Sequence, residues 1–514
     1  MSKTIIIIGA GLAGLSAALQ AAENGCNVKL VSSLPSERAQ SVMAEGGINA
    51  ALNTKDENDS PEEHFTDTIK AACGLADPNA VWGMTQAAPE LVHWLLKLGV
   101  KFNMSGYDDV DLRNFGGQKK KRTAFAQSDT GKQIMTAMID AVRRKEASGM
   151  VERFSHHSFL TLSLCGNICC GCVIRDEYSQ ETVELPGDAV IVATGGMHGL
   201  FGNTTGSLSN TGEVTAELFR LGVPLANGEM IQYHPTTVKC GGKRMLISEA
   251  ARGEGGRLFA MKDGKQWYFM EEKYPELGNL MPRDITAREI WKVSHESEVF
   301  LDMTEISEEI ISNKLSGLAD DCMTYLHKDI RKEPVSVLPG IHYFMGGILV
   351  DEQHRTPIQN LCAAGECCAQ YHGANRLGGN SLLGALYGGR VAAKSACEQA
   401  DVVDLSCATQ IDFPPASQIS EIKQLNKVMQ ETMGVVRNEN TLLNGIKTVQ
   451  ALTGNLPLLG MAVLKSALAR KESRGAHWRE DYPKSNDDDY LKTTVARFDG
   501  KQIQISFVPV PERR

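Results

Sequence analysis

The start of the chain changes from a continuous apolar run to a helical pattern. Thr4 to Ile8 is apolar and mostly β-branched, and Ala and Leu then recur with helical spacing to position 22. Glycines at positions 9, 11 and 14 interrupt this stretch, so it predicts a strand, a turn and a helix, with no direct membrane insertion. NVKLVSS, residues 27 to 33, predicts a second strand.

The same patterns continue toward the middle of the chain. Residues 61 to 100 have helical apolar spacing broken near Asp77-Pro78, which predicts two helices. Short apolar runs up to about Asp188 predict meander strands. DAVIVATGG, residues 188 to 196, predicts a buried strand that ends in a glycine turn, and TGEVTAELFRLG after it predicts a helix.

Changes of pattern divide the chain into domains. Residues 234 to 342 hold paired glycines, scattered Arg and His and alternating elements, which indicates an inserted domain. We predict an α/β protein with a Rossmann-like domain in two parts, 1–233 and 343–410. An α+β capping domain, 234–342, is inserted between them, and a helical domain with a polar tail, 411–514, follows.

Composition narrows the function classes. The chain has 514 residues, 42% hydrophobic residues and a net charge of −9, so it predicts no nucleic-acid partner and any anion site must be built locally. Thirteen cysteines, an odd count, favour reduced thiols in the cytoplasm. CGNICCGC, residues 165 to 172, lacks paired CxxC units, so we predict packing cysteines and no metal site.

GAGLAG lies directly between the first strand and the first helix. In that context Gly9, Gly11 and Gly14 allow a dinucleotide pyrophosphate to approach the amides of the helix N-terminus. The acidic residue that marks NAD sites is missing after the second strand, where Ser32 stands, so FAD is favoured over NAD. Two further small-residue turns after strands, ATGG and AAGE, strengthen this prediction.

Basic side chains in the inserted region and beyond predict an anion pocket. Each lies beside Gly, Pro or small residues, where a bending chain presents side chains to a cleft. They are His234, Arg252, Arg283, His342 and Arg376. Since arginine binds carboxylates in a bidentate way, the set predicts a site for a small di-anion.

The ordered motifs resemble a known family. From residue 4 to about 495 they read GAGLAG, AEGG, FGGQ, ATGG, QYHPT, RGEGG, PRD, HYFMGG, GE, HGANRLGGNSL and ESRGAHWREDYP. This order is similar to the flavoprotein subunit of fumarate reductase and succinate dehydrogenase, a family that includes L-aspartate oxidase. The resemblance implies an FAD-binding domain of the glutathione-reductase-like type, a capping domain and a C-terminal helical domain.

The resemblance also assigns roles to matching residues. It implies that Arg283 donates the proton and that Glu249 and Arg252 return one to it. The substrate-binding residues it implies are His234, Ser248, His342, Arg376, Phe115 and Gln118. The turns and the resemblance together predict cofactor contacts at Gly9, Gly11, Ala13, Gly14, Ser32, Ser41, Ala44, Glu45, Gly46, Gly47, Thr194, Gly195, Glu213, Glu366, Arg376, Ser381 and Leu382.

Several activities remain open at this point. We expect fumarate reduction or succinate oxidation, with the direction undetermined. L-Aspartate oxidase is an alternative, but its family members carry a glutamate where Phe115 stands, and a buried ammonium without an anion is costly. A reductase of another unsaturated acid and an electron-transfer or assembly flavoprotein without substrate chemistry are further alternatives.

Gln40 changes the expectation for flavin attachment. Many family members have a histidine at this place that is covalently joined to the flavin, and a glutamine amide is not a comparable nucleophile. We therefore predict non-covalent FAD. Because we find no cysteine pattern for an iron-sulfur cluster, we expect electrons from a separate iron-sulfur subunit or another donor, in a cytoplasmic protein that partner subunits could hold at a membrane.

Overall fold

A computed structural model describes residues 2–107, 109–399 and 419–514. The predicted boundary between residues 410 and 411 lies outside this part of the chain. The other two predicted boundaries, at 233/234 and 342/343, fall inside two strands that pair with each other, Ile231–Cys240 and Leu338–Phe344.

The strands of the described residues, in chain order, are β1 Thr4–Ile8, β2 Asn27–Ser32, β3 Ile48–Asn49, β4 Leu112–Arg113, β5 Thr123–Ala124, β6 Val151–Ser155, β7 His157–Cys165, β8 Ile168–Asp176, β9 Thr182–Pro186, β10 Ala189–Val192, β11 Leu225–Ala226, β12 Ile231–Cys240, β13 Lys243–Leu246, β14 Arg257–Lys262, β15 Lys265–Trp267, β16 Val299–Asp302, β17 Val335–Ser336, β18 Leu338–Phe344, β19 Gly347–Leu349, β20 Leu361–Ala363, β21 Cys368–Ala369, β22 Lys492–Phe498 and β23 Ile503–Pro509.

The α-helices are α1 Leu12–Glu23, α2 Pro61–Ala71, α3 Pro78–Leu98, α4 Thr130–Ala147, α5 Glu213–Arg220, α6 Glu249–Gly253, α7 Phe269–Lys273, α8 Arg283–Val293, α9 Glu308–Lys314, α10 Ser316–Asp321, α11 Asn380–Gln399, α12 Ile419–Thr432, α13 Glu439–Val449, α14 Asn455–Ala469 and α15 Asp487–Tyr490. Among the described residues, none of the helices combines the length and apolar character that a bilayer span requires.

A parallel five-stranded sheet organises the first domain. Its order is β20-β10-β1-β2-β6, and the paired strands run parallel. Ile5, Ile6 and Ile7 are fully buried because both faces of the sheet are covered, which explains the uninterrupted apolar run of β1. Helices α1 and α11 contribute to the core on one face. The predicted Rossmann-like α/β fold is confirmed.

A three-stranded antiparallel sheet, β7-β8-β9, lies against the other face. Cys169 and Cys172 are fully buried in the core cluster that also holds Ile6 and Ile8. These thiols therefore fill the core as apolar side chains, which is the packing role the sequence indicates.

Two segments differ from the sequence prediction. The run predicted as meander strands up to Asp188 contains α4, whose buried Ile134, Met135, Met138 and Val142 recur at helical spacing. The predicted polar tail contains the hairpin β22–β23, and β22 pairs with β11. Polar side chains alternate along this hairpin because one of its faces meets water.

The capping region is built on two small sheets, β13-β12-β18 and β15-β14-β16-β17. Helices α6 to α10 complete it around an apolar core that includes Ile247, Leu258 and Leu301. Helices α12, α13 and α14 form a second helical core with α5, in agreement with the predicted C-terminal helical region.

Candidate functional site

A cavity of about 550 Å³ opens at the carboxyl ends of β1 and β10. β2 pairs with one edge of β1, and β10 pairs with the other edge. The cavity therefore lies where the strand order changes direction, which is the place at which parallel α/β sheets bind ligands. This cavity is lined by the turn between β1 and α1, by residues 38 to 47, by the capping region and by the start of α11.

The first turn fits a dinucleotide pyrophosphate. Gly9 has φ of +110°, and a Cβ there would lie 2.3 Å from Ala193 O. Gly11, which precedes α1, has no side chain to cap the helix; the Leu12 amide donates to Ser41 Oγ at 3.3 Å, and the next amides of the first turn are left for an anion. Gly14 was predicted as a cofactor contact but does not line the cavity. A Cβ there would be 1.8 Å from Gly9 O, so this glycine lets α1 pack closely against the turn.

Ser32 and Arg175 provide polar atoms at the next part of the cavity. Ser32 is 8% exposed, and its Oγ has no hydrogen-bond partner in the described protein. A ribose hydroxyl would satisfy this oxygen. Arg175 Nε is likewise buried without a partner, and Arg175 lies near Glu213, another lining residue. Arg175 was not predicted, because a single polar residue on a strand carries no local signal.

The segment from Ser41 to Gly47 forms one wall of the cavity beside the sheet, and its glycines bring the backbone close to neighbouring residues. A Cβ on Gly46 would lie 2.9 Å from the Phe115 ring, and Gly47 has φ of +137° with Ala124 O 2.5 Å from its Cβ position. Ala13, Ser41, Ala44 and Glu45 also line the cavity. Gln40 lies here too, and its Oε1 accepts a hydrogen bond from the Ser207 amide.

Later turns close the opposite wall. Thr194, Gly195, Glu366, Ser381 and Leu382 line the cavity as predicted for cofactor contacts. Glu366 Oε1 accepts from the Phe344 amide at 3.0 Å, which fixes its carboxylate. Ser381 and Leu382 belong to the first turn of α11, so a second helix N-terminus faces the cavity.

Gln118 lies behind this wall rather than on it. Its Nε2 donates to Asn49 Oδ1 at 3.0 Å and to Gly378 O at 2.9 Å. Asn49 in turn donates to Gly378 O and to Asn380 Oδ1, each at 2.7 Å. The geometry therefore gives Gln118 a supporting position under the start of α11, whereas Phe115 lines the cavity.

Arg283, the first residue of α8, is held by three hydrogen bonds. Its Nε and Nη2 donate to Glu249 Oε2 at 2.8 and 2.5 Å, and its Nη1 donates to Gln232 Oε1 at 3.1 Å. Arg252 Nη2 lies 3.4 Å from Glu249 Oε1. Arg252, Glu249 and Arg283 thus form a line of ion pairs, of which Glu249 and Arg283 reach the cavity; Arg252, predicted from sequence as part of the anion pocket, lies behind them because its guanidinium is turned to Glu249.

The neighbouring arginines favour the ionised form of Glu249. Burial alone would raise the pKa of Glu249, but the charges of Arg283 and Arg252 outweigh it and lower that pKa. Burial lowers the pKa of Arg252, and burial followed by repulsion from Arg283 lowers the pKa of Arg376 to about 9. Arg252, Arg283 and Arg376 outnumber the carboxylates of Glu249 and Glu366 that act on them, which leaves excess positive charge for a di-anion.

Two histidines face each other at the cavity. The rings of His234 and His342 are 5.1 Å apart. His342 Nδ1 lies 2.8 Å from Thr205 Oγ1, and His234 Nδ1 lies 3.0 Å from Thr236 O. Burial and the charge of Arg283 hold both histidine pKa values well below the usual range, so both rings are neutral near pH 7.

Ser248, Gln232 and Tyr343 complete the surroundings of the arginines. Ser248 caps α6 and lines the cavity. Gln232 Nε2 donates to Arg376 O at 2.8 Å, so one amide connects Arg376 with Arg283. The Arg376 guanidinium lies 4.3 Å from the Tyr343 ring centre. Gln232 and Tyr343 were not assigned from sequence, although Gln232 is two residues before His234, a spacing that places side chains on one strand face.

The site and the fold together define an FAD-binding flavoprotein, and comparison with known proteins agrees. Residues 4–382 match the model of the FAD binding domain family, and residues 452–513 match the fumarate reductase flavoprotein C-terminal family. A succinate dehydrogenase flavoprotein subunit of Bacillus subtilis is 38% identical, over 100% of this chain and 98% of its own length. The 8-methylmenaquinol:fumarate reductase flavoprotein subunit of Wolinella succinogenes is 32% identical, over 100% and 92%.

Solved structures give the same result. An E. coli quinol fumarate reductase chain superposes with a TM-score of 0.90 at 27% identity, covering 99% of this chain and 97% of its own. The chain belongs to the fumarate reductase/succinate dehydrogenase flavoprotein family and is an FAD-dependent oxidoreductase.

Proposed function

We propose that this chain reduces fumarate to succinate, or catalyses the reverse, with Arg283 as the proton donor. The observation that carries the proposal is the placement of Arg283 on the cavity, hydrogen-bonded to Glu249 and close to His234, His342 and Arg376. Bound FAD would supply the hydride in one direction and accept it in the other.

Arg376, His234 and His342 would bind the two carboxylates of the substrate in different ways. Arg376 would bind one carboxylate through its charge, since its Nε is buried without a partner in the described protein. His234 and His342 would donate hydrogen bonds as neutral rings, because their pKa values are too low for protonation near pH 7. Binding both carboxylates would orient the alkene and stabilise charge that develops on one of them.

Glu249 would return a proton to Arg283 after each turnover. Its carboxylate accepts hydrogen bonds from Arg283 and lies 3.4 Å from Arg252 Nη2, which has no hydrogen-bond partner in the described protein, so transfer from Arg252 would need a closer approach of these two side chains. An arginine acts as an acid only toward a strongly basic partner, and a carbanion next to a carboxylate is such a partner.

The cavity offers little to an ammonium group, which disfavours L-aspartate as the substrate. Phe115 is apolar, and the charge of Glu249 is offset by Arg283 and Arg252. Burial, with a smaller contribution from nearby carboxylates, raises the pKa of Glu45 to about 8, so this carboxyl is mostly neutral at pH 7. An ammonium here would lack a compensating anion.

We further propose that FAD is bound non-covalently and that electrons pass to or from a separate iron-sulfur subunit. Gln40 supports the first point, since its amide oxygen is occupied by the Ser207 amide and is not a flavin nucleophile. The second rests on relatives that are named as flavoprotein subunits. A cytoplasmic location, with attachment to membranes through partner subunits, remains a prediction.

Anaerobic turnover tests the proposed activity. Reduced viologen should be oxidised with fumarate, and succinate should reduce an artificial acceptor, whereas L-aspartate and simple acrylates should give less than about a hundredth of either rate. Hydrogen peroxide made with L-aspartate, without fumarate turnover, would instead identify an aspartate oxidase. Turnover of an acrylate but not of fumarate would identify another unsaturated acid.

The pH dependence of kcat/KM for fumarate should follow the ionisation of Glu45. We expect kcat/KM for fumarate to fall about tenfold as pH rises through about 8, because Glu45 then places a negative charge in the cavity near a di-anion. Glu45→Gln should remove this fall while FAD content, measured by absorbance, stays the same. A profile that the substitution leaves unchanged would show that Glu45 is not the titrating group.

A further inference from the structure

Cys26 and Cys397 form a close thiol pair far from the cavity. Their Sγ atoms are 3.0 Å apart, and both are free cysteines. Cys26 follows the C-terminal end of α1, and Cys397 lies in the last turn of α11. Cys26 is 5% exposed and Cys397 is half-buried, so the pair is reachable from one side.

We propose that Cys26 and Cys397 are an oxidative modification site, at which a peroxide converts the two thiols into a disulfide. One thiolate attacks the peroxide, forms a sulfenic acid and releases hydroxide; the second thiolate then displaces hydroxide from that sulfur, and the two hydroxides take up the two protons that the thiols lost. In total, two thiols and one hydrogen peroxide give one disulfide and two waters.

The geometry suits this reaction. A disulfide requires about 2.05 Å between sulfurs, so the two atoms need to approach by roughly 1 Å. Cys397 is anchored, because its carbonyl oxygen accepts a hydrogen bond from Lys3 Nζ at 2.7 Å. Burial and the neighbouring thiol raise the pKa of Cys397 to about 12, so oxidation should be slow at neutral pH and faster as pH rises.

A disulfide here would join the two sequence segments that build the FAD-binding domain. The two cysteines are separated by 371 positions, with the whole capping region between them. Both α1 and α11 begin at the cavity, so the bond would resist their separation and delay loss of the flavin on heating. Since α11 has 20 residues, its cysteine end lies about 30 Å from its cavity end. Turnover should be unaffected.

The oxidant has a local source if the proposed function holds, because reduced flavins form hydrogen peroxide with dioxygen. The test does not depend on that function, since peroxide is added directly. FAD-loaded protein is treated with hydrogen peroxide at pH 8, digested without reduction and mapped by mass spectrometry. Flavin fluorescence then reports the release temperature before and after dithiothreitol.

We expect a linked peptide that contains Cys26 and Cys397, and a release temperature higher by about 3 °C that dithiothreitol reverses. Cys397→Ser should lack both effects, and Cys240→Ser, which removes a half-buried thiol on β12, should keep them. A map in which either cysteine is found only as thiol or as sulfinic acid would overturn the proposal. A linked peptide without a temperature shift would overturn the stabilising role.

Discussion

Replacing Arg283 by lysine should lower kcat for fumarate reduction by about 10³-fold while FAD content stays normal. Arg283 makes three hydrogen bonds, two to Glu249 and one to Gln232. A lysine ammonium has the same charge but a single nitrogen, so it cannot keep these bonds and also face the substrate. The KM for fumarate should change little, because Arg376 and the histidines remain.

Anaerobic stopped-flow reduction and steady-state assays with reduced viologen would measure this effect. Arg288→Lys is a matched control on the same helix, since Arg288 stacks 4.0 Å above the Trp478 ring and does not line the cavity. Near-normal fumarate reduction by Arg283→Lys with intact FAD would remove Arg283 from the mechanism.

Acid precipitation should release all of the flavin into the supernatant. The residue at the place of the family's flavin-linked histidine is Gln40, whose Oε1 accepts from the Ser207 amide. An amide has neither the basicity nor the free lone pair that attack on a flavin methyl group needs. The backbone from Ser41 to Gly47, the two helix N-termini and polar side chains such as Ser32 would then hold the cofactor without a covalent bond.

Absorbance of the supernatant and flavin fluorescence on a denaturing gel would measure the released fraction. Gln40→Ala should behave in the same way but bind FAD more weakly, because the Ser207 amide loses its partner. Yellow colour or fluorescence that stays with the precipitated chain would contradict non-covalent binding.

Local sterics explain which parts of the site were predictable. Gly9 and Gly47 have positive φ and lie against backbone oxygens, so their neighbourhood could be recognised from short motifs. The five basic residues were recognisable in the sequence because they lie beside Gly, Pro or small residues. Assigning each of them a role required the resemblance, since no local pattern fixes distances between the capping region and residue 376, and Arg252 lies behind the cavity rather than on it.

Tertiary packing decided the rest. Phe115 and Gln118 belong to the same short motif. The Phe115 side chain faces the cavity, whereas the Gln118 side chain is hydrogen-bonded to Gly378 O away from the cavity. Helix α4 was not predicted because only one of its faces is apolar, and the Lys, Gln and Arg residues of its other faces interrupt the apolar pattern in the sequence. The hairpin β22–β23 was missed because it joins a sheet whose other strands lie more than a hundred residues earlier.

The Glu249 carboxylate lies against the backbone of the other domain. A Cβ on Gly116 would be 2.7 Å from its Oε1, a Cβ on Gly378 would be 2.9 Å from its Oε2, and the Gly116 amide donates to it at 3.2 Å. Glu249, Arg252 and Arg283 all belong to the capping region, whereas the flavin contacts belong mostly to the other domain. Docking of the capping region would therefore bring the proposed proton path to the flavin site as one unit. Under the proposed function, displacement of the capping region would leave a flavin that still accepts electrons but passes them to oxygen instead of to an alkene. The contact between the two domains would therefore also limit the loss of electrons to oxygen.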